Sequence, residues 1–380
     1  MKNTSKKNQH YIPKFYLRNF SYQNNQTQIG VYNINNSIYH QTAPLKHQGS
    51  KKFFYGHDGA IEDYLSDLEG DLATEIKNIL QTLNIPVPNS EGHIQLACFA
   101  TLTHLRNPIH INSIEKTRET MVKFSNEMDT SRNYDQLIPK LSRAQSIQIA
   151  LKHLNTCITT INDLKYKLLI NETSTPFITS DLPVIRYNKF LEAKKWSHGK
   201  TGFGSLGLQL FIPLSPTVML TFYDSEIYKV GHKKKKTHSI YKKSDVDQLN
   251  LLQFLNCYET IFFNETATEN YIKSIHEKAK KFNRANEDVS RLSVLLNGIT
   301  QLDKITSKTK PNLVIKSSTD CEINLDLEGL KIHSKSRKVD FGDRAAQLRP
   351  WASFVLSLQN NTPTRYQIQE KSESQNDVSS

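Results

Sequence analysis

Two glutamates seven residues apart, Glu62 and Glu69, open the chemical reading of this 380-residue sequence. On a helix that advances about 100° per residue from Ile61, they fall near about 100° and about 80°. Tyr64, Leu65, Leu68, Leu72, Ile76 and Ile79 occupy the stripe from about 300° to about 60° on the same wheel. Both carboxylates therefore border one apolar face, while Asp63 and Asp67 point to solvent. A carboxylate at the edge of a core needs a partner or takes up a proton. A pair of them would hold a divalent cation such as Mg, or divide acid and base work. The structural alternative is that they pair with Arg or Tyr side chains and orient helices.

Arg106 is the second candidate. It ends an apolar segment directly before Asn107-Pro108, and a buried guanidinium is costly unless a carboxylate or a bound anion meets it. Glu69, Glu62 and Asp181 are the expected partners, and a substrate phosphate is the functional alternative. His10 lies among Tyr11, Phe15 and Tyr16. A histidine near carboxylates serves as a base or a metal ligand; among aromatics it serves as a hydrogen-bonded core group. Arg18 follows it as a phosphate contact. Ser180 and Asp181 end an expected strand just before Pro183. They would either be aimed into a site by that strand or close a turn on nearby backbone amides.

Lys233, Lys234, Lys235 and Lys236 form the sharpest charge cluster. With Lys242, Lys243, Lys331, Lys335, Arg337 and Lys338 they would make a phosphate-facing surface; alone they would make a solvated loop. The net charge of +12 and pI of about 9.3 point the same way. No zinc-finger, RNA-recognition or helix-turn-helix signature accompanies them, so sequence-specific base reading is not expected. Gly202, Gly204 and Gly207 fit a Gly-x-Gly-x-x-Gly string. They precede a strand rather than open a helix, so a mobile loop is expected there and not a dinucleotide site.

The elements that must position these residues follow from pattern. A hairpin is expected at 29–40 with its turn at Asn35-Asn36, and a helix over 59–83. The segment 91–106 is apolar on nearly all sides and reads as a helix buried all round, ended or kinked by Pro108. Helical character resumes to about 127 and across 137–156. Strands are expected at 165–170, 176–179, 183–187, 208–212, 218–223 and 260–263, helices at 244–257 and 266–283, and a long loop at 189–207. The order gives an α+β fold: a buried helical core packed with an antiparallel β-sheet, plus a C-terminal extension. The expected boundaries are 1–285 for the main domain, 286–364 for the extension and 365–380 for a disordered tail.

Cys98, Cys157, Cys257 and Cys321 are far apart and form no Cys-x-x-Cys pair. Free thiols in a reducing compartment are expected, not a thiolate zinc site. The N-terminus has no apolar stretch behind its charges, and no run of apolar residues reaches membrane-spanning length, so a cytoplasmic protein without membrane contact is expected.

Four places carry a family resemblance: Gln9-His10-Tyr11-Ile12-Pro13-Lys14-Phe15-Tyr16-Leu17-Arg18-Asn19-Phe20; the helix with Glu62 and Glu69; Phe177-Ile178-Thr179-Ser180-Asp181-Leu182-Pro183-Val184; and Pro213-Leu214-Ser215-Pro216 followed by Asn250 and Gln253. Together, over about residues 8–265, they resemble the bacterial domain of unknown function 4238. That resemblance implies relatives and no reaction. The reading that joins these residues is a nucleic-acid-acting, nuclease-like effector in phage defence or toxicity. In it Glu62 and Glu69 hold the cation, His10 is the base, Asp181 assists, and Arg106, Arg18, Ser180 and the lysines hold substrate. The rival is a non-enzymatic module that binds nucleic acid or protein, as a monomer or a homo-oligomer, with the same polar residues buried as a structural network. An enzyme needs them around one open cleft; a module can bury them.

Overall fold

The computed structural model describes residues 7–56, 59–196, 199–292, 313–336 and 347–360. The expected tail at 365–380 and the basic pair Arg337 and Lys338 lie outside the described residues.

The helical layer begins with Ala60–Thr82, continues through Glu91–Leu105 and Pro108–Met128, and ends with Arg143–Lys152 and Leu154–Ile161. Glu91–Leu105 starts where the Ser90 hydroxyl accepts the His93 amide at 3.3 Å, the usual way to satisfy an orphan donor at a helix start. From Leu96 to Leu105 every residue except His104 is buried. Each of its large apolar side chains contributes roughly 1.5–3 kcal/mol of burial. Ile94, at 48% exposed, breaks the all-round pattern. Pro108 does not kink this helix. The helix stops at Leu105, Asn107 caps the next one by accepting the His110 amide at 2.7 Å, and Pro108 takes its first position, where its missing N–H costs nothing.

Two sheets back the helices. The larger runs Thr237–Ile240, Lys165–Asn171, Val218–Tyr223, Gln209–Pro213, Ile185–Tyr187. All its pairings are antiparallel except the first, which is parallel. The smaller runs Ile38–Pro44, Gln28–Asn33, Thr260–Phe263, Thr179–Ser180 and is antiparallel throughout. The expected hairpin is the outer half of this second sheet, with Ser37 in the left-handed region that closes its turn. The loop expected at 189–207 contains a short helix, Lys189–Ala193, capped by the Asn188 carboxamide at 3.0 Å from the Leu191 amide.

The chain from Thr179 to Tyr187 leaves the smaller sheet and enters the larger one. The Thr-Ser-Asp-Leu-Pro-Val segment is therefore the crossover between sheets. Tyr16, fully buried on the short helix Lys14–Arg18, ties the crossover down. Its hydroxyl donates to the Pro213 carbonyl at 2.6 Å and lies 2.7 Å from the Thr179 hydroxyl. Three of the four sequence motifs meet at that one oxygen.

Beyond residue 285, Asn286–Leu292 and Leu313–Thr319 pair antiparallel. Leu330–Ile332 pairs antiparallel with Tyr228–Val230, and a last helix spans Pro350–Asn360. Among the described residues no helix is long and apolar enough to cross a membrane. The four cysteines are free, three of them buried.

Candidate functional site

The Arg106 corner is built from three elements. Glu69 comes from the middle of Ala60–Thr82, Arg106 from the end of Glu91–Leu105, and His10 from the short strand Asn8–His10, which pairs with Ser50–Lys52. Arg106 is 1% exposed and its Nη1 donates to Glu69 Oε1 at 2.6 Å. Tyr55, also buried, donates its hydroxyl to the His10 carbonyl at 3.0 Å. Burial pushes the Tyr55 phenol up to about 12, with the charges of Arg106 lowering it and those of Glu69 and Glu62 raising it. Glu62 is half-buried about two turns earlier on the same helix. His10 sits half-buried with Nε2 3.2 Å from the Lys46 carbonyl. Burial lowers its pKa to about 4, and the positive charges of Lys14, Arg106 and His47 act in the same direction. His10, Glu62, Glu69 and Arg106 thus share one electrostatic neighbourhood.

Ser180 and Asp181 are held elsewhere and are committed to backbone and core. The Asp181 oxygens accept the amides of Tyr258 (2.7 Å), Glu259 (2.7 Å) and Thr260 (2.9 Å). Burial pushes its pKa up to about 6, against the opposing pull of those three amides. Ser180 Oγ donates to Gln253 Oε1 at 2.7 Å and accepts the Leu182 amide. Gln253 in turn donates to the Pro183 carbonyl, and Asn250 brackets the same strand by accepting from Ile178 and donating to Pro176. Among the described residues no hydrogen bond or ion pair joins Asp181 to His10. Arg18 is exposed and lines a separate shallow depression with Asn24, Ser215 and Thr217.

Glu69 spends an oxygen on Arg106, and among the described residues no group of three or more His, Cys, Asp or Glu side chains could hold a metal ion.

Lys233, Lys234 and Lys235 are exposed on the turn between Tyr228–Val230 and Thr237–Ile240. Lys236 leans back, its ammonium donating to Asn84 Oδ1 at 3.1 Å and the Ile85 carbonyl at 2.9 Å. Lys242, Lys243 and Lys335 meet Glu328, Asp247 and Glu226 respectively. Lys229 and Lys331, both exposed, face each other in register on the paired strands beside the turn.

A further open cleft lies apart from these places. It is lined by Thr103, His104 and Asn107 from the corner between two helices, by Leu182, Pro183, Val184 and Arg186 from the sheet crossover, and by Thr201, Asn256 and Asp320. His104 and Arg186 stood out in no sequence motif; for His104 the available signal was the pair of histidines, His104 and His110, flanking Asn107-Pro108, and Arg186 had none.

No curated protein and no solved structure matches the chain. Residues 8–267, which hold all four motifs and the crossover they fasten, match the family model described as Protein of unknown function (DUF4238), and the chain belongs to that family.

Proposed function

We propose that the chain is a cytoplasmic, nucleic-acid-acting protein of the nuclease-like effector kind, with phage defence or toxicity as its setting. The observation that supports this is the lysine cluster on one sheet edge. Lys233, Lys234 and Lys235 are exposed in succession, and Lys229 and Lys331 lie side by side next to them. Such a cluster suits the repeated charge of a phosphate backbone and carries no base-specific reading.

The experiment is a titration of a labelled duplex and a labelled single strand at two salt concentrations. Affinity should fall steeply as salt rises, and changing Lys233, Lys234 and Lys235 to Ser should reduce the salt slope by about one per lysine, uniformly across sequences. Affinity indifferent to salt would remove the reading.

A second reading, the non-enzymatic module, is favoured by a specific observation. Arg106, Ser180 and Asp181 are buried and bonded to protein partners, which is what a structural network requires. In that reading the motif residues hold the fold and the lysine edge alone meets nucleic acid or an acidic protein.

A further inference from the structure

The helix corner that places Arg106 inside places two imidazoles outside it. Asn107 holds the corner from both ends: its Nδ2 donates to the His104 carbonyl at 2.6 Å, and its Oδ1 accepts the His110 amide at 2.7 Å. The His104 and His110 rings consequently stand with centroids 5.3 Å apart, tilted by 49°. Both are half-buried, hence reachable from solvent. His104 also meets Phe203 edge-on at 5.3 Å, and the Arg186 guanidinium lies over that same Phe203 ring at 5.8 Å. His104, Asn107 and Arg186 line the open cleft, with His110 beside His104. His104, from a helix end, and Arg186, from a strand, therefore line the cleft itself, with His110 and Phe203 each in ring contact with His104.

We propose that this cleft cleaves RNA without a metal ion, with His104 and His110 as the proton-transfer pair and Arg186 as the phosphate's cation. The proposal rests on the nucleic-acid reading above and names its substrate. An imidazole pair supplies a base and an acid, and RNA carries its own nucleophile in the 2′-hydroxyl, placed next to the phosphorus it attacks. One neutral imidazole takes the 2′-hydroxyl proton as O2′ bonds to phosphorus. The P–O5′ bond breaks, and the other imidazole, protonated, gives its proton to O5′. The products are a 2′,3′-cyclic phosphate and a 5′-hydroxyl; the two imidazoles end with their protonation states exchanged, and water resets them. Arg186 meets the charge that grows on the phosphate oxygens. Phe203 offers a face on which a neighbouring base stacks.

The test uses the full chain with a 5′-labelled single-stranded RNA and its all-deoxy counterpart, in EDTA. Binding is read by anisotropy and cleavage by gel, with the product ends identified by mass. The expected result is cleavage of RNA alone, to 2′,3′-cyclic ends. His104→Gln and His110→Gln should each lower the rate about a hundred-fold or more, with cooperative melting and RNA affinity retained. RNA that binds but stays intact overturns this proposal and leaves the nucleic-acid reading standing; so does cleavage that requires a divalent ion or equals the parent's in both variants. A parent that binds neither the RNA nor its deoxy counterpart overturns both readings, and one that binds the deoxy strand alone overturns this proposal only. The deoxy arm and the product ends use the parent alone, so they decide even where a variant unfolds.

Discussion

The Arg106 guanidinium, 1% exposed, meets the Glu69 carboxylate at 2.6 Å although 37 residues separate them in the chain. The buried Tyr55 hydroxyl also lies against the guanidinium, which has no second carboxylate in hydrogen-bond contact among the described residues. One carboxylate thus supports a guanidinium that has left water almost entirely. Deleting that carboxylate strands the charge, at about 3–5 kcal/mol for a fully buried pair; Glu69 is 23% exposed, so the low end is expected for Glu69→Ala. Arg106→Ala adds a cavity and should cost at least as much. Urea melts of both variants and the double variant measure the coupling. Two single variants as stable as the parent would show that the pair contributes nothing.

Asp181 is a second internal keystone. It gathers the amides of three successive residues, Tyr258, Glu259 and Thr260, where the chain enters the strand Thr260–Phe263. Asp181→Ala leaves three donors without their acceptor, and each stranded buried group costs about 1–3 kcal/mol. A loss of about 3 kcal/mol or more is expected in denaturant. Asp181→Asn is expected to fare little better, because its amide group points donors at donors. A melt within about 0.5 kcal/mol of the parent for either variant would contradict this.

How far the sequence carried the structure depends on the range of the interaction. Helix and strand positions were legible because they follow local periodicity: the hairpin at 28–44 and the helix 60–82 appear where the pattern placed them. The Glu69–Arg106 pair was legible because a buried arginine needs a carboxylate and few stood on the right face. Tyr64 was not. The wheel set it on the apolar stripe, yet it is 60% exposed, since a wheel gives a direction and not a neighbour. The parallel edge pairing of Thr237–Ile240 and the cleft escaped for the same reason. The cleft is assembled by residues from 103 to 321, and no local pattern reports such a meeting.

Gly207 shows what the Gly-x-Gly-x-x-Gly string does. Its φ is +74°, and a Cβ there would lie 2.9 Å from Asn188 Oδ1 and 3.1 Å from Phe190. Its amide donates to Asp224 at 2.9 Å and its carbonyl accepts the Tyr228 hydroxyl at 2.9 Å. The glycine is required by backbone conformation and close approach, not by a bound phosphate. Gly207→Ala should lower stability by about 1–3 kcal/mol, whereas Gly199→Ala, which meets nothing within 4 Å, should change little. Equal melting midpoints for the two variants would refute the assignment.

Arg349 fastens the last helix through an interaction no sequence pattern announced. It is 2% exposed, and it donates to both Asp163 oxygens (2.8 and 3.0 Å) and to the carbonyls of Thr160, Phe203 and Ser205. These bonds pin Pro350–Asn360 to the helix Leu154–Ile161 and to the loop that carries Phe203. Arg349→Met should destabilise the chain by about 3 kcal/mol or more, because Asp163 and three carbonyls lose their donor. It should also speed amide exchange at 200–206, the loop beside the cleft. Unchanged exchange there would mean the helix is dispensable to the loop.

His10 and Asp181 act on stability in opposite senses over one pH window. The His10 pKa falls from 6.5 to about 4 on folding, through burial first and the charges of Lys14, Arg106 and His47 after it, while the Lys46 carbonyl opposes the shift. Between those values the unfolded chain binds more protons at this site than the folded one, so His10 makes stability rise with pH. Asp181 moves from 3.8 to about 6 through burial. Between those values the folded chain binds more protons, so Asp181 makes stability fall with pH. The two slopes overlap between about pH 4 and 6 and partly cancel in the parent. His10→Gln keeps a polar group beside the Lys46 carbonyl and removes the titration. The stability of the parent minus that of His10→Gln should therefore grow from pH 4 to pH 6.5 and then level off. A difference that stays flat across that interval would show that His10 keeps its ordinary pKa, which would put its imidazole in open water and not behind the Lys46 carbonyl.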